Sequence, residues 1–245
     1  MIKAITFDFW STLYTNKTED YAKRIVELKR LMEQASGETF ALESFKEAIK
    51  TTRATWNKVW QEEHRTLNAW EWVAVLAEQL GVTLLADGHK RVETYLEDSI
   101  LDSWPIVVDE AKSVLAELSS RYRLAIISDT ALTPGRVLRQ ILRQDELASY
   151  FTHFTFSDEL GHSKPHPNAF LSTLKALDVA PHEAVHVGDL LRTDIAGAQQ
   201  LGMRAVQYVG VNRDASLDIE PDAVINNHAE LEPLLARWNN RHYTD

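Results

Sequence analysis

Six short apolar runs constrain the fold of this 245-residue chain more than any other feature. They lie at Ile2 to Phe7, Leu124 to Ile127, His153 to Phe156, Ala184 to Val187, Ala205 to Val209 and Ala223 to Ile225. Runs this brief and this continuously apolar suit strands buried on both faces, as in a parallel sheet. Between them apolar residues recur at helical spacing, as at Val108, Ala111, Val114, Leu115 and Leu118. Another helix is predicted to begin at Pro167-Asn168, because proline suits a first turn whose amide has no partner. The alternation predicts an α/β fold with a doubly wound parallel sheet.

One stretch breaks the alternation. Tyr21, Ile25, Leu28 and Met32 share one helical face, and Phe45, Ile49, Thr52 and Trp56 share another, with no strand pattern nearby. Residues 17–103 are therefore read as a smaller all-helical domain inserted into a core of residues 1–16 and 104–245. Composition is ordinary for a globular chain, and the length is enough for a sizeable core. With 26 Lys and Arg against 36 Asp and Glu, the formal charge of -10 disfavours nucleic-acid backbones and anionic membranes as partners. The absence of cysteine excludes disulfides and thiolate chemistry. No apolar run approaches the roughly 18 residues of a membrane span, and Asp8 interrupts the first run before a signal-peptide core forms. The expectation is a soluble cytoplasmic protein.

Four segments carry polar residues at the carboxyl ends of predicted strands, where ligands collect in doubly wound sheets. They are Phe7-Asp8-Phe9-Trp10-Ser11-Thr12, Ile127-Ser128-Asp129-Thr130, Gly161-His162-Ser163-Lys164-Pro165, and Gly188-Asp189-Leu190-Leu191-Arg192-Thr193-Asp194. Asp8 alone reads more readily as a turn or helix cap. With the other three in order, it becomes a candidate nucleophile, able to attack phosphorus and divide one displacement into two. Asp189 and Asp194 beside Asp8 would repel strongly unless a cation neutralised them, and magnesium suits a site of few carboxylates and water. Ser128 and Lys164 are candidates for stabilising a phosphoryl group. Asp129 is either a substrate contact or proton donor, or a loop hydrogen-bonder.

In this order the four segments resemble those of the haloacid dehalogenase superfamily. The resemblance covers residues 1–14 and 105–227. It implies a Rossmann-like core with a helical cap, Asp8 as nucleophile, and magnesium held by Asp8, the Trp10 carbonyl and Asp189, with Asp194 acting through water. It also implies a small phosphorylated metabolite as substrate. Trp10 departs from the pattern, since phosphatases of the family place there a second Asp that protonates the leaving group and activates water. An indole N–H only donates, and loss of a general acid/base costs roughly 10²- to 10⁴-fold.

Several readings follow. The favoured one is a phosphatase that is slow or restricted to good leaving groups such as acyl phosphates. A 2-haloacid dehalogenase is the second, because that branch carries an aromatic residue at this position, although it lacks the Gly-Asp metal segment. A phosphonatase would use a cap lysine, with Lys46, Lys50 and Lys58 available. A phosphometabolite-binding or regulatory protein with little turnover is the fourth. In the helical insertion, Arg53, Trp56, Asn57 and Trp60 share one face. The tryptophans are expected to pack the helical core, while Arg53 and Asn57 are candidates for leaving-group recognition. The histidines form no zinc pattern, so His162, His166 and His186 are read as structural, and Arg192 as a surface ion pair. Partner proteins and oligomeric state stay open.

Overall fold

The computed structural model describes residues 1–16 and 21–240. The expected start of the helical domain at residue 17 and the end of the core at 245 lie outside the described residues. In chain order the elements are β1 (Ala4–Phe7), β2 (Tyr14–Thr15), α1 (Tyr21–Ser36), α2 (Leu42–Glu62), α3 (Ala69–Leu80), α4 (Ala86–Asp98), β3 (Ile106–Val107), α5 (Ala111–Ser119) and β4 (Arg123–Ser128). They continue with α6 (Gly135–Gln144), β5 (His153–Phe156), α7 (Ser157–Leu160), α8 (Pro167–Leu177), β6 (Ala184–Gly188), α9 (Ala196–Gln199), β7 (Arg204–Tyr208), β8 (Ala223–Ile225) and α10 (Leu231–Asn240). The chain forms two compact units: Met1–Thr15, Ile106–Asp129 and Leu142–Asp245 make one, and Asn16–Pro105 with Thr130–Ile141 makes the other. The stretch 130–141 differs from the sequence boundaries. It joins the helical unit because Leu132 packs against that unit's apolar cluster.

The sheet has the order β5-β4-β1-β6-β7-β8, and every pair in it is parallel. The chain winds outward from β1 to one side, then returns to β1's other side at β6. That makes the end of β1 the switch point where a doubly wound sheet opens a crevice. Alanines on four strands, Ala4, Ala125, Ala184 and Ala205, lie in one cluster with Phe170, Leu174 and Leu177 of α8. The small strand residues let the helix settle close to the sheet, and each large side chain buried there contributes about 1.5–3 kcal/mol. Pro167 occupies the first turn of α8, as its missing amide favours.

β2 and β3 form a separate antiparallel ribbon, Tyr14 opposite Val107 and Thr15 opposite Ile106, on either side of the helical insertion. Two-residue strands carry no readable periodicity, and the sequence analysis does not anticipate them. Inside the helical unit, α1 buries Leu28 and Met32, and α2 buries Phe45, Ala48, Ile49 and Thr52. Tyr21, expected on the same buried face, is 45% exposed. Helix α3 starts at a capping box in which Asn68 accepts from the Glu71 amide and Glu71 accepts from the Asn68 amide. It ends at left-handed Gly81 and buries Trp72, Val73 and Leu76. Trp72 and the partly buried Trp56 belong to the helical core, whereas Trp70 is 47% exposed and lies on the His89 ring. No helix among the described residues is long and apolar enough to cross a membrane.

A buried histidine at the far edge of the sheet sets an acid limit on stability. His228 follows β8, is 1% exposed, stacks on Tyr208 at 4.4 Å, and neither ring nitrogen has a partner among the described residues. Burial pushes its pKa down from 6.5 to about 4. The unfolded chain therefore takes up a proton first, so the stabilising contribution is full above pH 6.5 and disappears as pH falls through 4. Urea unfolding of the protein is expected to lose about 3 kcal/mol across that window through this residue alone. His228→Leu should flatten that part of the profile, and an unchanged slope would refute the assignment.

Candidate active site

Asp8 directly follows β1, whose last residue Phe7 pairs with Ile126 of β4 and Val187 of β6. The Asp8 amide donates to the Val187 carbonyl at 2.8 Å, which extends the sheet by one residue and fixes the carboxylate at the switch point. A tight turn then reverses the chain. The amides of Leu13 and Tyr14 donate to the Phe9 carbonyl, and Ser11 sits in the left-handed region at φ 57°. Phe9 stacks on Tyr14 at 4.5 Å, and the partly buried Trp10 meets Phe9 edge-on at 4.8 Å.

Lys164 binds the site together. It is 2% exposed, and its ammonium donates to Asp8 Oδ1 at 2.5 Å and to Asp194 Oδ1 at 2.6 Å. Its amide donates to Asp129 Oδ1 at 2.9 Å, so Asp129 makes the loop hydrogen bond weighed from the sequence and anchors the segment that carries the lysine. Ser128 closes β4 beside β1, and its buried Oγ has no hydrogen-bond partner among the described residues. A buried hydroxyl left so is placed to meet a ligand.

The second acidic segment adopts a single π turn at Leu191–Ile195, a rare geometry frequent at functional sites. It turns the Asp194 carboxylate back toward the sheet. A Cβ on Gly188 would lie 2.3 Å from Asp194 Cγ, so glycine is needed there for this close approach rather than for a left-handed turn. Asp194 Oδ2 accepts from the Leu190 amide at 3.0 Å and from Thr193 at 3.4 Å, while Oδ1 receives both Lys164 and His186. Asp189 is held differently. Its backbone carbonyl accepts from Gln207, and its carboxylate has a long 3.5 Å contact with Asn212 Nδ2. Asp214 accepts from the Leu191 amide at 2.8 Å and braces the turn from outside.

Electrostatics follow from this arrangement. Burial, then the Asp194 and Asp189 charges, raises the Asp8 carboxyl well above the usual carboxylate range despite Lys164. Burial and Asp194 push Asp189 up to about 7. Burial would also raise Asp194, but Lys164 and His186 outweigh it and hold this carboxyl well below the usual range. Burial acts to lower Lys164, yet Asp194, Asp8 and Asp129 hold its pKa far above normal. Burial depresses the His186 pKa. Because the Asp194 carboxylate can only accept, Nε2 donates to it, and Nδ1 lies 2.8 Å from Thr6 Oγ1, which also reaches the Val185 carbonyl at 3.4 Å.

Thr6, Gln207, Asn212 and Asp214 are absent from the sequence-based candidates, and His186 is read there as structural. Thr6 sits within an apolar run and reads simply as strand. Arg192 is partly buried and lies in the field of Asp129 and Asp194. His162 and His166 stack face to face at 3.8 Å across the lysine loop. Arg53 and Asn57 belong to the helical unit, where they line a cleft of about 710 Å³ with apolar walls from Tyr21, Ile25 and Ile49. The Arg53 guanidinium lies 4.8 Å above the Tyr21 ring.

The haloacid dehalogenase-like hydrolase profile matches residues 2–202, spanning all four segments. The chain belongs to the haloacid dehalogenase-like hydrolases. A glyceraldehyde 3-phosphate phosphatase of Pyrococcus furiosus is 39% identical to this hydrolase over 155 residues, which cover 62% of this chain and 60% of that protein. The crystal structure of a 2-haloacid dehalogenase from Pseudomonas syringae is 28% identical, with a TM-score of 0.67, covering 97% of this chain and all of that one. A haloacid dehalogenase-type phosphatase from Thermococcus onnurineus, 24% identical, shares the fold with a TM-score of 0.63 over 96% of this chain and 98% of its own.

Proposed function

We propose that this hydrolase is a magnesium-dependent phosphatase of a small phosphorylated metabolite, acting through an aspartyl-phosphate on Asp8. The observation that carries the reading is a charge deficit. Three buried carboxylates, Asp8, Asp189 and Asp194, share one buried ammonium, and burial together with their mutual repulsion pushes Asp8 and Asp189 upward despite it. A divalent cation relieves that deficit. Among the described residues no three acidic or histidine side chains are grouped to hold a metal unaided. Magnesium does not require such a group, since one or two carboxylates with carbonyl and water oxygens suffice. Asp8, Asp189 and the Trp10 carbonyl would supply them. Asp194, whose oxygens already receive four donors, would contact the ion through water.

In this reading the Asp8 carboxylate attacks phosphorus, the bond to the leaving oxygen breaks, and water later cleaves the aspartyl-phosphate to return Asp8 and phosphate. Lys164 and the Ser128 hydroxyl stabilise charge on the transferred group. Bound magnesium would offset charge on the phosphoryl oxygens. Trp10 supplies no proton, so leaving groups that need none are favoured. The helical unit would serve as the cap, with Arg53 and Asn57 contacting the leaving group. The deciding assay is phosphate release from acetyl phosphate, p-nitrophenyl phosphate, glyceraldehyde 3-phosphate, and common sugar and nucleotide phosphates, with magnesium or chelator. Magnesium-dependent release is expected, steepest for acyl phosphates. Trp10→Asp should then raise release from alkyl phosphates by up to about 10²-fold, and no gain on any ester would count against the role assigned to this position.

A 2-haloacid dehalogenase is the second reading, favoured by the aromatic Trp10 and by the name of the Pseudomonas syringae protein. Gly188-Asp189 argues against it, because the dehalogenase branch of the resemblance lacks that Gly-Asp segment. Halide release from a 2-haloacid with chelator present, and no phosphate release, would decide for it.

A further inference from the structure

We propose that His186, oriented by Thr6, is a positioning residue: it fixes the Asp194 carboxylate and so keeps Lys164 in place while Asp8 reacts. Thr6 and His186 are register partners on β1 and β6, and both are fully buried in the middle of the sheet. Apolar side chains at such a place would pack without polar groups to desolvate, so the pair is not explained by the needs of the core. Its geometry points one way. Thr6 Oγ1 engages Nδ1 at 2.8 Å, Phe170 packs edge-on against the ring at 5.2 Å, and the opposite nitrogen meets Asp194 Oδ1 at 3.0 Å.

The same oxygen of Asp194 receives Lys164 at 2.6 Å. The lysine's other anion is Asp8, at 2.5 Å, which is the group consumed when the aspartyl-phosphate forms. During that half of the cycle Asp194 is the anion that still holds the ammonium. Leu190 and Thr193 fix one carboxylate oxygen, and His186 fixes the oxygen that carries the lysine. Without the imidazole, that oxygen has the lysine alone to set its direction. Partners of this outer kind typically cost ~10- to 100-fold in activity when removed.

This inference rests on the phosphatase reading for its kinetic consequence but not for its geometry, and the test separates the two. His186→Leu is expected to lower kcat ~10- to 100-fold with KM changed less than about threefold. Some loss of thermal midpoint is expected as well, because Asp194 Oδ1 and Thr6 Oγ1 each lose a buried partner, so rescue by the amide variant is the discriminating comparison. His186→Gln, whose amide can donate to Asp194, should recover most of the rate. Independently of turnover, ¹⁵N-lysine NMR should show a slowly exchanging Lys164 ammonium signal that is displaced or lost in His186→Leu and restored in His186→Gln. An unchanged kcat in His186→Leu, equal losses of rate and stability in both variants, or a Lys164 signal indifferent to both would overturn the proposal. If the unmodified protein released no phosphate, the phosphatase reading would fail, and the Lys164 signal would still decide the positioning claim.

Discussion

Asp8→Asn is expected to abolish turnover and, with chelator present, to leave the thermal midpoint unchanged or higher. The first half follows from nucleophilic catalysis, because an amide cannot form the aspartyl-phosphate and loss of such a group costs on the order of 10⁴- to 10⁶-fold. The second half follows from the site's own charge. A carboxyl whose folded pKa is raised above its unfolded value binds its proton more tightly when folded, so its ionisation at neutral pH opposes folding. Asparagine keeps the shape without that charge, and Lys164 retains Asp194 at 2.6 Å. Phosphate release and calorimetry on one preparation test both halves. Retained turnover would remove Asp8 as nucleophile, and a lower midpoint would mean that its pairing with Lys164 outweighs the repulsion.

Lys164→Met should act in the opposite sense on stability. Removing the ammonium leaves Asp8 and Asp194 facing each other in a space from which water is largely excluded, and breaking a buried pair in this way costs about 3–5 kcal/mol. For a chain of this size that corresponds to a midpoint lowered by roughly 6 to 20 °C. Turnover should fall with it, since the transferred group loses its cation. The double variant Asp8→Asn/Lys164→Met should be less destabilised than Lys164→Met alone, because one of the stranded charges is gone. Urea unfolding of all three variants with chelator provides the measurement. Wild-type stability in Lys164→Met would show that the carboxylates are neutralised by some other means.

Much of the sheet was legible because buried parallel strands advertise themselves as unbroken apolar runs. Each of the six runs proposed from the sequence corresponds to a strand, with ends shifted by no more than two residues. Asp8, Ser128 and Asp189 were legible for a related reason, since each is the polar residue that ends or follows such a run. What the runs concealed were the polar residues inside them. Thr6 reads as an ordinary strand position and His186 as a structural histidine until the register sets them opposite each other. Pairing between strands almost 180 residues apart is a property of topology that local patterning does not contain. The π turn was hidden too, because its backbone is set by the bonds that Asp194 makes to Leu190 and His186, not by any local propensity. The place of Gly188 is likewise set by the nearness of a side chain six residues on.

The little ribbon of β2 and β3 has a meaning for how such a chain can diversify. The polypeptide leaves the sheet unit at Thr15 and re-enters it at Ile106, and those two residues are register partners. Paired strands lie about 4.8 Å apart, so the ends of everything between them meet at one doorway. Loop-closure entropy grows only with the logarithm of length, about 0.6 kcal/mol for each doubling. An insertion tethered in this way can therefore lengthen, shrink or be exchanged at little thermodynamic expense, provided its termini meet. Selection can rewrite what a descendant recognises and leave its chemistry as inherited.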